Sequence, residues 1–105
     1  MLPWDAIIAL VNKALDIYIE ETNPVTIYKR RLNSKYQEWK NFQTKLEVVR
    51  SELKKAVIND LDEDVIILTH QRAELIRRMD AVNKELETLW SMKNIIVPKD
   101  IIIEK

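Results

Sequence analysis

Not one glycine occurs in this chain of 105 residues. Glycine is the residue that reaches positive φ without a steric penalty and lets another group approach the backbone closely. Two-residue β-hairpin turns, phosphate-cradling loops and nucleophile elbows all depend on it. A chain without it is steered toward helices, which need none. The few prolines, Pro3, Pro24 and Pro98, then mark where helices start or stop.

Composition narrows the class further. Apolar residues make up 47% and charged residues 32%, a balance that suits a folded chain rather than a disordered one or a membrane span. Lysine plus arginine and aspartate plus glutamate number 17 each, so no net field draws in nucleic acid or anionic lipid. No cysteine is present, which removes disulfides and thiolate metal sites and fits a reducing compartment. The apolar stretch from Ala6 to Ile19 has no basic segment before it, is interrupted by Lys13 and Asp16, and is too short to cross a bilayer. The expected location is intracellular or within a particle, with no signal peptide or transmembrane span.

The pattern predicts a single helical domain over residues 1–105, with a first helix over about 3–22. Pro3 suits a first helical turn, Asp5 complements the positive helix end, and Asn23-Pro24 is a stop signal. Ile7, Leu10, Val11, Ala14, Leu15 and Tyr18 form its apolar face, widened by Ile8, Ile17 and Ile19, against a polar stripe of Asp5, Asn12, Asp16 and Glu20. So apolar a helix is expected between other elements or in an interface.

Two heptad-like seams follow. In the second helix, about 25–58, the seam is Tyr28, Leu32, Lys35, Trp39, Phe42, Leu46, Val49, Leu53 and Ala56. In the third, about 61–93, it is Leu61, Val65, Leu68, Arg72, Leu75, Met79, Val82, Leu86, Leu89 and Lys93. Apolar residues three and four apart make one stripe along a helix, as in coiled coils. The seams are out of phase, and the slip falls in Asn59-Asp60-Leu61-Asp62-Glu63-Asp64, a run of cap-forming and turn-forming residues. Asn59 reads as a helix end, and Asp60 with Glu63 as a capping box. Folding there sets Ala56 against Val65, Leu53 against Leu68, Leu46 against Leu75, Phe42 against Met79, Trp39 against Val82 and Leu32 against Leu89. One continuous helix of about 68 residues offers no such match. The fold class is therefore all-α: an antiparallel, coiled-coil-like helical hairpin about 50 Å long, with a shorter N-terminal amphipathic helix and an extended C-terminal arm over 94–105. The first helix is expected to fold over the open end, near Tyr36, Trp90 and Met92.

Candidate sites are few. Asp60, Asp62, Glu63 and Asp64 lack the glycine and terminal bidentate glutamate of a calcium loop, and acids in a first helical turn are ordinary dipole complements. His70, the lone histidine, falls on the outer face of the third helix four residues before Glu74 and has no second histidine for a metal or catalytic pairing. Lys29-Arg30-Arg31, Lys40, Lys54, Lys55, Arg77 and Arg78 alternate with Glu38, Glu47, Glu52, Glu74, Glu85 and Glu87, the pattern of a solvated coiled-coil face and not of a basic stripe. Trp39 and Phe42 sit in the seam and read as core. Lys35 and Arg72, the seam cations, either fix register or snorkel to water over an apolar stem. No catalytic residue, metal ligand or cofactor is expected, and the chain reads as a non-enzyme.

The tail is the departure. Ile95-Ile96-Val97-Pro98-Lys99-Asp100-Ile101-Ile102-Ile103 is a β-branched run split by proline, suited to an edge strand or an extended arm that adds to a neighbour, or else packs back on its own bundle. Val57, Ile58, Ile66, Ile67 and Ile76 cluster near the hairpin turn, where two helices alone leave apolar residues uncovered. With Ile7, Val11 and Tyr18 of the first helix and Ile95, Ile96, Val97, Ile101, Ile102 and Ile103 of the tail, they form the expected partner interface. The expected function is that of a structural or interaction protein, a hairpin that oligomerises or docks into a larger assembly, with a viral or phage particle as one such setting by analogy. Partners are expected to be protein, either self or other subunits. The alternative is a peripheral membrane or regulatory adaptor using the N-terminal helix, although its polar face carries mainly acids where membrane-surface helices carry lysine and arginine.

Overall fold

The computed structural model describes residues 2–101. The chain is 80% helical, with no strand among the described residues. The elements run α1 (Trp4–Ala14), α2 (Pro24–Ile58), α3 (Asp62–Ser91) and a single-turn α4 (Lys93–Ile96). Helices α2 and α3 pack against each other, so the all-α hairpin expected from the two seams is the fold of this chain.

The start of α2 is built by sequence-local chemistry. Asn23 is the N-cap, its side-chain oxygen accepting the Val25 N–H at 2.8 Å. Pro24 follows at the first helical position, where a missing N–H is no loss. The end of α2 is closed by a Schellman motif: Leu61 N–H donates to the Ala56 carbonyl at 3.0 Å and Asp60 N–H to the Val57 carbonyl at 3.3 Å. That motif needs a left-handed residue, and Asp60 supplies it at φ 54. Aspartate tolerates this region better than most side chains. The capping-box expectation at Asp60 is thereby corrected. An N-cap residue has extended backbone, whereas Asp60 is left-handed and terminates α2. Leu61, half exposed at the turn, likewise leaves the seam.

The described chain forms two compact units. The first contains the residues up to Gln37 and those from Lys84 onward. Its core gathers Trp4, Ile7, Ile8, Val11 and Leu15 from the α1 segment with Val25, Tyr28 and Leu32 of α2 and Leu86 of α3. The short helix does fold onto the open end of the hairpin, and Tyr36 helps to receive it by donating its hydroxyl to the Asp5 carboxylate. Asn12 and Asn33 exchange amide hydrogen bonds at 3.0 and 2.8 Å. Within the same unit the Tyr28 hydroxyl donates to the Leu89 carbonyl at 2.6 Å, near the end of α3.

Two boundaries differ from expectation here. Helix α1 stops at Ala14 and not near residue 22. Lys29 donates to the Leu15 carbonyl at 3.1 Å and the Tyr18 carbonyl at 2.9 Å, satisfying acceptors at the end of α1. Beyond that end Ile17 and Ile19 are exposed and are not part of the apolar face. The tail does not begin as an extended arm: Lys93–Ile96 make one helical turn, and Val97 turns to β geometry with its side chain buried.

The second unit, Glu38–Asn83, holds the turn-proximal halves of α2 and α3. Its seam is inside: Trp39, Leu46, Val49, Ala56 and Val82 are buried, and Phe42, Leu53, Val65, Leu68, Leu75 and Met79 are half-buried. Every buried residue of this unit, as distinct from the half-buried ones, is a seam residue, as burial of a narrow stripe between two helices requires. Two helices shield each other on one side only, which leaves the flanks of this unit in solvent.

Candidate functional site

Each helix of the second unit presents a flank to the groove beside the seam. Along one stretch Lys45 and Val48 of α2 face His70, Glu74 and Arg78 of α3 across a cleft of about 480 Å³. Nearer the turn, Glu52 and Lys55 face Leu61, Asp64 and Ile67 across a cleft of about 320 Å³. Glu74 is the hub of a surface network. It accepts from Arg77 and, at 3.1 Å, from Arg78, and those two hydrogen bonds hold its carboxyl below the usual carboxylate range. His70 is exposed at the edge of this groove, with Glu74 one turn further along α3.

The expected interface residues divide sharply. Val57, Ile58, Ile66, Ile67 and Ile76 are all exposed, with Ile58 at 70% and Ile66 at 71%. Of these only Ile67 lines the groove, where Leu61 and Val48 join it. Ile95 is exposed at 84%, whereas Ile96 and Ile101 are half-buried. Ile102 and Ile103 lie outside the described residues. Three expected interface residues are corrected: Ile7 at 4%, Val11 at 0% and Val97 at 7% exposure are core of the first unit. Tyr18 is half-buried. The physical reason is that α1 spends its apolar stripe on Tyr28, Leu32 and Leu86 of its own chain. Val97 likewise packs back on its own bundle, the other reading open for the tail.

Sequence reasoning missed several residues that matter. Trp4, 1% exposed, sits three residues before Ile7 and so on the same helical face, a signal that spacing carries. Val48 was legible as an apolar residue just off the seam. The roles of Lys29 and Tyr28, in contrast, depend on carbonyls distant in sequence and leave no local mark.

The cations resolve into contacts. Lys35 reaches Glu85 at 2.6 Å with its side chain one-third exposed, the posture of a lysine whose stem covers the core and whose charge stays wet. Arg30 lies 3.9 Å from Glu21. A third cleft, about 460 Å³ in the first unit, is bordered by Arg31, Lys35 and Lys84, with Glu85 offsetting one of these charges. Among the described residues no three histidine, aspartate or glutamate side chains gather as a metal site would require. No helix is long and apolar enough to cross a membrane among those residues. No protein-family model, curated protein or solved structure matches this chain.

Proposed function

We propose that this chain is a non-enzymatic structural or interaction protein whose hairpin self-associates or docks as a subunit of a larger assembly. The observation that carries the reading is the apolar exposure of the unit Glu38–Asn83, where Val48, Val57, Ile58, Leu61, Ile66, Ile67 and Ile76 all stand in solvent. Of these, Val48, Leu61 and Ile67 line one groove, and exposed apolar surface of this kind is what a protein partner covers. The adaptor alternative has less support, because the apolar face of α1 that a bilayer would take up is buried against its own chain. A particle, viral or phage, is one setting for such a subunit.

The test is the solution mass of the purified 12.5 kDa chain by light scattering, read together with binding of an apolar dye. A defined multiple of the chain mass, or a chain that stays soluble only with a partner, is the expected result. A monomer that binds little dye even at high concentration overturns the assembly reading.

A further inference from the structure

The groove of the unit Glu38–Asn83 carries a charge pattern that matches itself. On the α2 side the cations Lys45 and Lys55 stand ten residues apart; on the α3 side the carboxylates Glu74 and Asp64 stand ten apart as well. At the helical rise each spacing is about 15 Å. Between these charges lie Val48 and Glu52 on α2 and Ile67, His70 and Gln71 on α3, with Val48 and Ile67 each more than half exposed at 53% and 55%. Lys55 and Asp64 form no ion pair among the described residues of their own chain. Glu74 already holds Arg77 and Arg78, so Lys55 and Asp64 are the cleaner pair.

A two-fold axis parallel to the helices lays α2 of one copy over α3 of the other. The facing helices then run antiparallel, as α2 and α3 do within one chain, and heights along the axis are preserved. Within the hairpin Ala56 is level with Val65, so Lys55 comes within about a turn of the partner's Asp64. By the same register Lys45 comes level with the stretch of the partner's α3 between Glu74 and Arg78, whose charges offset each other, so Lys55 and Asp64 carry the pairing. The Lys55–Asp64 pair is made twice, and Val48 and Ile67 of both copies lie along the same groove. An isologous contact requires this kind of self-complementarity.

We propose that a second copy of this chain seats its groove on this one, forming a two-fold dimer through the face bearing Val48, Lys55, Asp64 and Ile67. The proposal rests on the assembly reading and names the partner. The charge pairs give register and the apolar side chains along the groove give affinity, the pairs steering the approach and the apolar side chains excluding water.

The decisive experiment is sedimentation of the full chain, wild type and variants, at several concentrations. The wild type is expected to dimerise. Val48→Glu and Ile67→Glu each place an unpaired charge in the contact and weaken dimerisation by about tenfold or more, with helicity by circular dichroism unchanged because both sites are exposed in the chain. Lys55→Glu and Asp64→Lys each set like charges against each other in a homodimer and weaken it. An equimolar mixture of those two variants regains the dimer. The glutamate introduced in one chain then meets the lysine introduced in the other, while the unaltered Lys55 and Asp64 still pair. Only a contact between chains gives recovery on mixing, so this arm decides even if a glutamate variant folds poorly. A dimer indifferent to the glutamate variants, or no recovery on mixing, overturns this surface and leaves the assembly reading standing. A monomeric wild type that binds apolar dye strongly overturns the second copy in favour of a foreign protein partner. A monomer that binds little dye overturns both.

Discussion

Tyr28 is 2% exposed, its hydroxyl donates to the Leu89 carbonyl, and burial pushes its pKa up from 10.0 to about 12. An unfolded tyrosine ionises near pH 10, so below that pH the two states carry the same proton and the stabilisation is fully present. As pH rises from 10 through 12 the unfolded state gains an ionisation that the folded state resists, and stability falls by about 2–3 kcal/mol. Urea unfolding across pH 9 to 12 should show this loss, and Tyr28→Phe should remove its share of the slope while costing about 1 kcal/mol at pH 7 through the lost hydroxyl hydrogen bond, the Leu89 carbonyl keeping the Met92 N–H at 3.1 Å. Asp60 offers a second single-residue test. Its φ of 54 is a position that glycine takes freely and a β-branched side chain resists. Asp60→Gly is expected to hold or raise the urea midpoint, whereas Asp60→Val should destabilise by about 1–2 kcal/mol. The sequence marked Asp60 as a breaker but assigned it to the wrong helix. An acidic residue between two helices serves either as an N-cap or as a left-handed terminus, and only the backbone torsion distinguishes them.

At the scale of elements, helices were legible where local signals agreed. Asn23-Pro24 gives α2 its start, the phase slip gives the turn, and the two seams give the packing, so the bounds of α2 and α3 lie within two residues of those expected. Register follows from the same seams. Cysteines placed at Leu46 and Leu75 should therefore close a disulfide within one chain, read as faster migration on non-reducing gels with no added mass; failure to close, or closure only between chains, would contradict the hairpin register. The ends of α1 and α3 were less legible. Periodicity continues past Ala14 through Leu15 and Tyr18, but the helix ends at Ala14, and the Leu15 and Tyr18 carbonyls beyond it are met by Lys29 of α2, a contact no local pattern announces. The β-branched tail suggested extension, yet its first residues, up to Ile96, belong to the helical turn Lys93–Ile96, and Val97 after them is buried. Burial outweighs intrinsic propensities of a few tenths of a kcal/mol per residue.

For the molecule as a whole, balanced charge and exposed apolar side chains act together. The formal net charge is zero and the sequence pI is about 6.6, so mutual repulsion between copies is weakest near neutrality. Scattering-derived mass is expected to peak near that pH and fall as the chain charges at pH 4 or 9; a mass independent of pH would argue that apolar contact alone governs association. The sequence by itself determined that the chain is helical, that it doubles back near residue 60, and which stripe each long helix buries. All three follow from periodicity and from residues that act on their own neighbours. Only the tertiary structure decided which apolar residues remain for a partner. Ile7, Val11 and Val97 looked as available as Ile58, Ile66 and Ile67, because periodicity shows that a face is apolar and is silent on what covers it. The first three are covered by their own chain and the others are not, since α1 and the tail pack in one unit while the other holds two helices with open flanks.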